Sequence, residues 1–197
     1  KNNQNLKAII FSLQENLGIV KIIGVMQFYK LLNSDDIDFL KKSKIIISSN
    51  YIYCKYIIDN QKIRINRWLI SNLYFNKNNF KSLPSEKIFL NKYKFNTLSL
   101  KSVGYIKLES FVVEVAFLEH VYNLFLSEKK EVHYFNFYHI RKLKISFTAF
   151  FEILNHYGFK KISGTSFITF WKKIDRSSED KIAYNKNSPF YALKKLQ

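Results

Sequence analysis

The 197-residue chain is poor in the residues that staple or punctuate folds, with one cysteine, two prolines, five glycines and one methionine. Cys54 has no second thiol with which to close an internal disulfide, so a disulfide-stapled secreted scaffold is excluded; it reads as a small core residue. Long apolar runs are also lacking. The longest, Ser110 to Leu126, is broken by Glu114, Glu119 and His120, so no bilayer-spanning segment and no membrane partner is expected. No glycine is followed by lysine, which removes a phosphate-cradling Walker loop, and Gly-x-Gly-x-x-Gly is absent. Gly18 and Gly24 enclose an apolar interior that reads as packing. His120, His133, His139 and His156 show no metal-ligand spacing. His133 and His139 flank aromatics and read as structural, and the adjacent Glu119-His120 pair reads as surface. Glu114 and Glu119 are five apart and do not share a helical face. No catalytic constellation, metal site or cofactor is expected in these residues.

Positive charge is abundant. Lys and Arg number 32 against 15 Asp and Glu, a formal charge of +17. Such a balance points to an anionic partner, most often nucleic acid. Yet the chain holds 28 Lys and only 4 Arg, and Lys, Asn, Ile, Phe and Tyr make up 103 residues. A/T-rich codons inflate that set without selection for binding, so location is more informative than the total. Between Asp59 and Glu109 lie ten basic residues and one acid, Glu86. Trp68, Tyr74, Phe75, Phe80, Phe89, Tyr93, Phe95 and Tyr105 are interleaved with them. Cations neutralise phosphates and exposed rings stack on bases, so the mixture suits a single-strand track. Lys62, Arg64, Arg67, Lys92 and Lys94 are its candidate contacts. The competing reading points most of these rings into the core and leaves the lysines as a solvated face.

Periodicity predicts a helix over 6–17, ended near Gly18, then an apolar segment over 19–32 that fits strand or helix. Asn33-Ser34-Asp35-Asp36 is a cap cluster opening a short helix over 37–42. Runs 45–47 and 51–58 read as a β-hairpin across Ser48-Ser49-Asn50. Residues 65–75 read as an amphipathic helix carrying Trp68. Residues 76–102 read as a basic linker with at most one short strand. No internal repeat is visible. Over 103–174, a strand at Val103 to Leu108 and an ambiguous segment at Phe111 to Val115 lead into a helical stripe to Leu126. A second helix follows over Phe135 to Leu143. A third is capped by Ser146 and closed by Gly158, and carries Phe147, Phe150, Phe151, Leu154 and Tyr157. Phe159 to Ile162 and Phe167 to Trp171 read as a closing hairpin.

Helix, helix, capped helix and hairpin is the order of a winged helix-turn-helix, whose hairpin touches phosphate backbone. Lys160, Lys161, Lys172 and Lys173 fall on that hairpin. The outward positions of the third helix, Thr148, Glu152, Asn155 and His156, include an acid and no base, which argues against base reading by this helix. The expected fold is therefore α+β. A helical and hairpin part over 1–75 and the linker over 76–102 precede a winged-helix-like domain over 103–174. Residues 175–197 complete the chain as a polar linker and a Ser-Pro-Phe helix.

Three pieces of the second half carry a family resemblance. They are Gly104-Tyr-Ile-Lys-Leu-Glu-Ser-Phe-Val-Val-Glu-Val-Ala-Phe-Leu-Glu119, Phe151-Glu-Ile-Leu-Asn-His-Tyr-Gly-Phe159 and Asn187-Ser-Pro-Phe-Tyr-Ala-Leu-Lys-Lys-Leu196. In order and spacing they resemble the C-terminal, post-motor region of alphaproteobacterial superfamily 2 helicases related to mitochondrial-degradasome RNA helicases. The resemblance covers about residues 103–196. It implies an accessory region that holds RNA or single-stranded nucleic acid while a motor outside this chain uses ATP and Mg; no catalytic residue carries over. The first residue, Lys1, fits a truncated chain on this reading. A bacterial cytoplasmic location is expected, with the mitochondrial matrix as the alternative. The partner is RNA or single-stranded nucleic acid, with docking on a helicase motor or a ribonucleoprotein. The alternative is a basic ribosomal or other RNA-binding structural protein from an A/T-rich genome, and a protein-docking module whose charge is codon drift is a third reading.

Overall fold

A computed structural model describes residues 3–75, 82–83, 85–91, 95–126, 130–165 and 168–174. Among the described residues the fold is α+β, built on three antiparallel three-stranded sheets. The predicted Ser-Pro-Phe helix over 187–196 lies outside the described residues.

The first sheet belongs to α1 (Gln4–Glu15), β1 (Ile19–Lys21), α2 (Ile22–Tyr29), α3 (Ser34–Lys42), β2 (Ile45–Ile47) and β3 (Tyr51–Cys54), with strand order β1-β3-β2. Ile9 and Leu13 on the α1 stripe are buried with Val20, Val25 and Ile52. Asn33 and Asp36 form a capping box at the start of α3, as the cap cluster predicted. The ambiguous 19–32 segment is both strand and helix. The strand expected to run to Ile58 stops at Cys54, and Lys55–Asp59 forms α4. Helical spacing lets α4 set adjacent isoleucines on two glycines. A Cβ at Gly18 would meet Ile57 Cδ1 at 2.5 Å, and one at Gly104 would meet Ile58 Cγ1 at 2.8 Å.

The second sheet belongs to α5 (Gln61–Phe75), β4 (Ile88–Leu90), α6 (Thr97–Ser102), β5 (Tyr105–Lys107) and β6 (Phe111–Glu114), in the order β4-β6-β5. The 76–102 stretch, read as a linker, thus supplies an edge strand and a capped helix. Asn96 accepts from the Leu98 amide to start α6, and Leu100 is fully buried. The third sheet belongs to α7 (Val115–Phe125), β7 (Val132–Asn136), α8 (Phe137–Lys142), α9 (Phe147–His156), β8 (Phe159–Gly164) and β9 (Ile168–Lys173), in the order β7-β9-β8. Phe135, expected inside a helix, is in a strand. His133 and Phe135 are buried while Val132 and Tyr134 are exposed, a period of two. Asn136 and His139 then form a capping box that starts α8.

The same backbone device recurs three times. After the last helix of each motif a residue takes positive φ: Lys44 at 55°, Gly104 at 93° and Gly158 at 81°. Its carbonyl then accepts from the residue after the closing strand: Lys55, Val115 and Ile174, at 2.9, 2.9 and 2.8 Å. In the first two motifs the residue after the opening strand also donates to the residue before the closing one, Ile22 to Asn50 and Asn91 to Ser110. The fold thus repeats where no sequence repeat is visible, because the shared requirement is one left-handed residue. Tyr51 and Tyr53, Ile106 and Val113, and Phe150, Ile153 and Trp171 meet in one core, so the three motifs pack around common apolar contacts.

Candidate nucleic-acid interface

The candidate basic residues fall into three groups. Arg64 and Arg67, on α5, turn inward. Arg64 Nε donates to the Val103 carbonyl at 3.1 Å, and its Nη2 reaches Glu114 Oε2 at 3.3 Å with both side chains 12% exposed. Its guanidinium also lies over the Tyr105 ring, 4.7 Å from the centroid. Arg67 donates to the Ser102 carbonyl at 2.6 Å and to the Leu17 carbonyl at 2.8 Å. Those carbonyls end α6 and the α1 turn, where a cation opposes the helix dipole. Arg64 therefore ties α5 to the rest of its own motif, and Arg67 also joins that motif to the first. Lys62, two residues before Arg64 on α5, is exposed. Lys92 and Lys94 lie outside the described residues, as do Phe80, Tyr93 and the Phe75 side chain. Of the remaining rings, Trp68, Phe95 and Tyr105 are buried, Phe89 is packed against them, and Tyr74 is exposed.

The hairpins of the first two motifs are fastened to the third. Glu119, read from the sequence as surface, is 2% exposed. Its Oε2 accepts from the Asn50 amide at 3.0 Å at the β2–β3 tip, and its Oε1 accepts from the Tyr157 hydroxyl at 2.9 Å. The helical stripe of α7 turns Glu119 inward with Val115, Leu118 and Val121. Tyr51 Oη and His156 Nε2 are 2.7 Å apart, and Ser49 Oγ donates to Asn123 Oδ1 at 2.6 Å. Burial, then the Glu119 charge, pushes the Tyr51 and Tyr157 hydroxyls well above their ordinary value. Glu152 accepts from the Ser110 and Phe111 amides at 2.9 and 3.2 Å, at the β5–β6 tip. Two of the four outward positions of α9, Glu152 and His156, are thus occupied by other parts of the chain, while Thr148 and Asn155 are exposed.

The β8–β9 hairpin has a different environment. On the outer face of the third sheet, the register sets Val132, Lys172 and Lys160 in one row and Tyr134 and Phe170 in the next. Tyr134 and Phe170 are 46% and 38% exposed, with ring centroids 5.7 Å apart. Lys172 forms an exposed ion pair with Glu131 at 2.6 Å, and its hydrogen bond holds the Glu131 carboxyl below the ordinary range. Strand alternation assigns Lys161 and Lys173 to the opposite face with Trp171 and Phe159. Lys161 Nζ there sits 6.0 Å from the Phe151 ring centroid. Two ammonium groups directly across a strand pair repel, and an anion laid across Lys160 and Lys172 relieves that repulsion. A helix expected from Phe135 hides the alternation that exposes Tyr134, and Phe170, inside the expected closing hairpin, has no cross-strand partner on that reading.

Among the described residues no cluster of His, Cys, Asp and Glu has the geometry to hold a metal ion, and no helix is long and apolar enough to cross a membrane. No protein-family model, curated protein or solved structure matches the chain.

Proposed function

We propose that this chain is a nucleic-acid-binding accessory region whose three motifs are winged-helix-like, with the outer face of the third sheet as its contact surface. Each motif's closing hairpin is the wing in this reading. The first two wings serve assembly and the third meets the ligand. The observation that carries the reading is the juxtaposition of Lys160 and Lys172 with the exposed Tyr134 and Phe170 rings. Lysines that neutralise phosphates beside rings that stack on bases are the two elements of single-strand binding. The charge of the surrounding motif agrees. Residues 130–174 hold eight Lys and Arg against Glu131 and Glu152, and Glu152 is engaged by backbone amides.

The mechanism needs no base reading. A strand lies across the sheet, its phosphates displacing Glu131 from Lys172 and bridging to Lys160, while two bases stack on Tyr134 and Phe170. Binding is consequently sequence-tolerant and steeply salt-dependent. The resemblance of the three ordered pieces supports attachment to an ATP-driven helicase motor that the chain does not contain. Binding of a labelled single-stranded oligonucleotide across a salt series tests the reading. Lys160→Ala with Lys172→Ala should weaken binding about tenfold or more and reduce the salt slope by roughly one to two. Lys161→Ala with Lys173→Ala should do less. Negligible affinity at low salt, or equal effects from the two pairs, would refute the assignment of this face.

A further inference from the structure

A cleft of about 490 Å³ opens where the three motifs meet, lined by residues of α1, β1, α2, β3, α6, β5 and α9. Its charged lining is of one sign. Lys21, Lys101 and Lys107 line it together with His156, and neither Asp nor Glu does. Among the described residues none of these three lysines has an ion-pair partner. Lys101 is half-buried. Burial, then the ammonium of Lys21, pushes it below its ordinary value, so the two cations crowd each other. Lys21 and Lys107 are exposed, so the cost of the grouping falls on Lys101, and an anion shared by the three ammonium groups offsets it.

The neutral lining also suits an anion. Asn16 and Ser12 border the cleft, as does the first turn of α2. The N-cap of α2, Lys21, provides no side-chain capping bond. Gly24 in that turn leaves the space beyond its Cα open, with no atom within 4 Å of where a Cβ would stand. The interior between Gly18 and Gly24, read as packing, is buried at Ile19, Val20 and Ile22; Gly18 packs on Ile57, and Gly24 alone faces open space. The volume falls in the range of about 300–1,000 Å³ typical of small-molecule sites.

We propose that this cleft binds a phosphate group, held by Lys21, Lys101 and Lys107, in a space sized for a single nucleotide. The site stands apart from the third-sheet face and does not depend on it. Its phosphate comes either from a free mononucleotide or from a nucleotide of a bound strand.

Calorimetric titration of the intact chain with adenosine 5′-monophosphate, adenosine and a 5′-phosphorylated oligonucleotide at constant ionic strength tests the proposal. It is run on the wild type, Lys101→Gln, and the combination Lys21→Gln, Lys101→Gln and Lys107→Gln. Adenosine monophosphate should bind at least tenfold more tightly than adenosine, and the triple variant should lose that preference. Binding of the phosphorylated oligonucleotide alone, lost in the triple variant but kept when Lys160 and Lys172 are changed, assigns the phosphate to a strand. Thermal unfolding provides a second readout that guards against misfolding. Without ligand, Lys101→Gln should melt at or above the wild-type temperature, because a crowded cation is removed. In phosphate buffer the wild type should gain stability over a chloride control, and the triple variant should not. Equal binding of adenosine and its monophosphate together with oligonucleotide binding that the triple variant retains or the wild type lacks, or an unchanged phosphate response in the triple variant, would overturn the proposal.

Discussion

Replacing Glu119 tests whether the first hairpin is an assembly element. The carboxylate is 2% exposed and accepts from the Asn50 amide at 3.0 Å and the Tyr157 hydroxyl at 2.9 Å. Hydrogen bonds to an ionised acceptor are worth about 1.5–3 kcal/mol each. Glu119→Ala removes both and strands two buried donors, so a loss of roughly 3–5 kcal/mol is expected. For a chain of this size that is on the order of 6–20 °C in melting temperature. Glu119→Gln is the sharper probe. Its single amide oxygen serves one donor, and its NH₂ must face the other, so about 1.5–3 kcal/mol should be lost. Tyr157→Phe removes the hydroxyl that the NH₂ would face. Adding Tyr157→Phe to Glu119→Gln should therefore cost less than the sum of the two changes, with a coupling of about 1 kcal/mol or more. Urea unfolding of the four proteins gives the cycle. Additive effects, or a Glu119→Ala loss below about 1 kcal/mol, would show that the network does not hold the hairpin.

Three further outcomes follow from named contacts. Arg64→Ala leaves the Glu114 carboxylate, 12% exposed, without its cation and should cost about 3–5 kcal/mol in urea unfolding; Arg64→Ala with Glu114→Gln should recover part of that loss. Lys144 is exposed and holds φ at 55°; Lys144→Gly should stabilise by up to about 1 kcal/mol, because glycine takes that conformation without the side-chain penalty. Burial pushes the Tyr105 hydroxyl up from its ordinary 10.0 to about 12, and the hydroxyl donates to the Glu86 carbonyl at 2.7 Å. A group whose folded value is raised keeps its contribution below its unfolded value and loses it above. Stability should therefore be flat with respect to Tyr105 up to about pH 10 and fall by roughly 2–3 kcal/mol towards pH 12. Tyr105→Phe should flatten that part of the profile, as read by denaturant midpoints across the alkaline range.

The sequence shows most clearly what local chemistry decides. The Asn33 and Ser146 caps, the Gly158 stop, the α1 stripe and the closing hairpin all follow from side chains acting within a few residues. A strand hands over directly to a helix in the two segments left open by the sequence, 19–29 and 111–125, and in the two misread, 51–59 and 132–142. No glycine or proline stands at any of these junctions (Gly24 lies inside the first turn of α2), so neither period dominates a short window. The switch is set by hydrogen bonds to distant residues, such as Lys55 to Lys44 and Val115 to Gly104. The repeat was hidden for the same reason. Its recurring element is a backbone angle, occupied by lysine once and glycine twice.

Charge illustrates the same limit at the candidate sites. Arg64 and Arg67 sit in the most basic stretch of the chain, yet their donors meet Val103, Ser102 and Leu17 carbonyls, Glu114 and the Tyr105 face. Arginine is suited to such places because its planar fork serves several acceptors at once and is more weakly hydrated than an ammonium. Lysine, a compact hydrated charge on a flexible stem, is the costlier ion to leave in a recess. A codon bias would raise the frequency of lysine, but it would not place Lys21, Lys101 and Lys107 around one cleft that no carboxylate lines among the described residues, or set Lys160 opposite Lys172 across a strand pair. Drift places charges without regard to one another, and a solvated lysine has no reason to approach another lysine. Around Lys101, which the Lys21 ammonium disfavours, and at Lys172, which has one exposed acid beside it, the proposed ligand supplies the negative charge. That distinction, between cations satisfied by the chain and cations left in company, separates the structural arginines from the lysines proposed to bind phosphate.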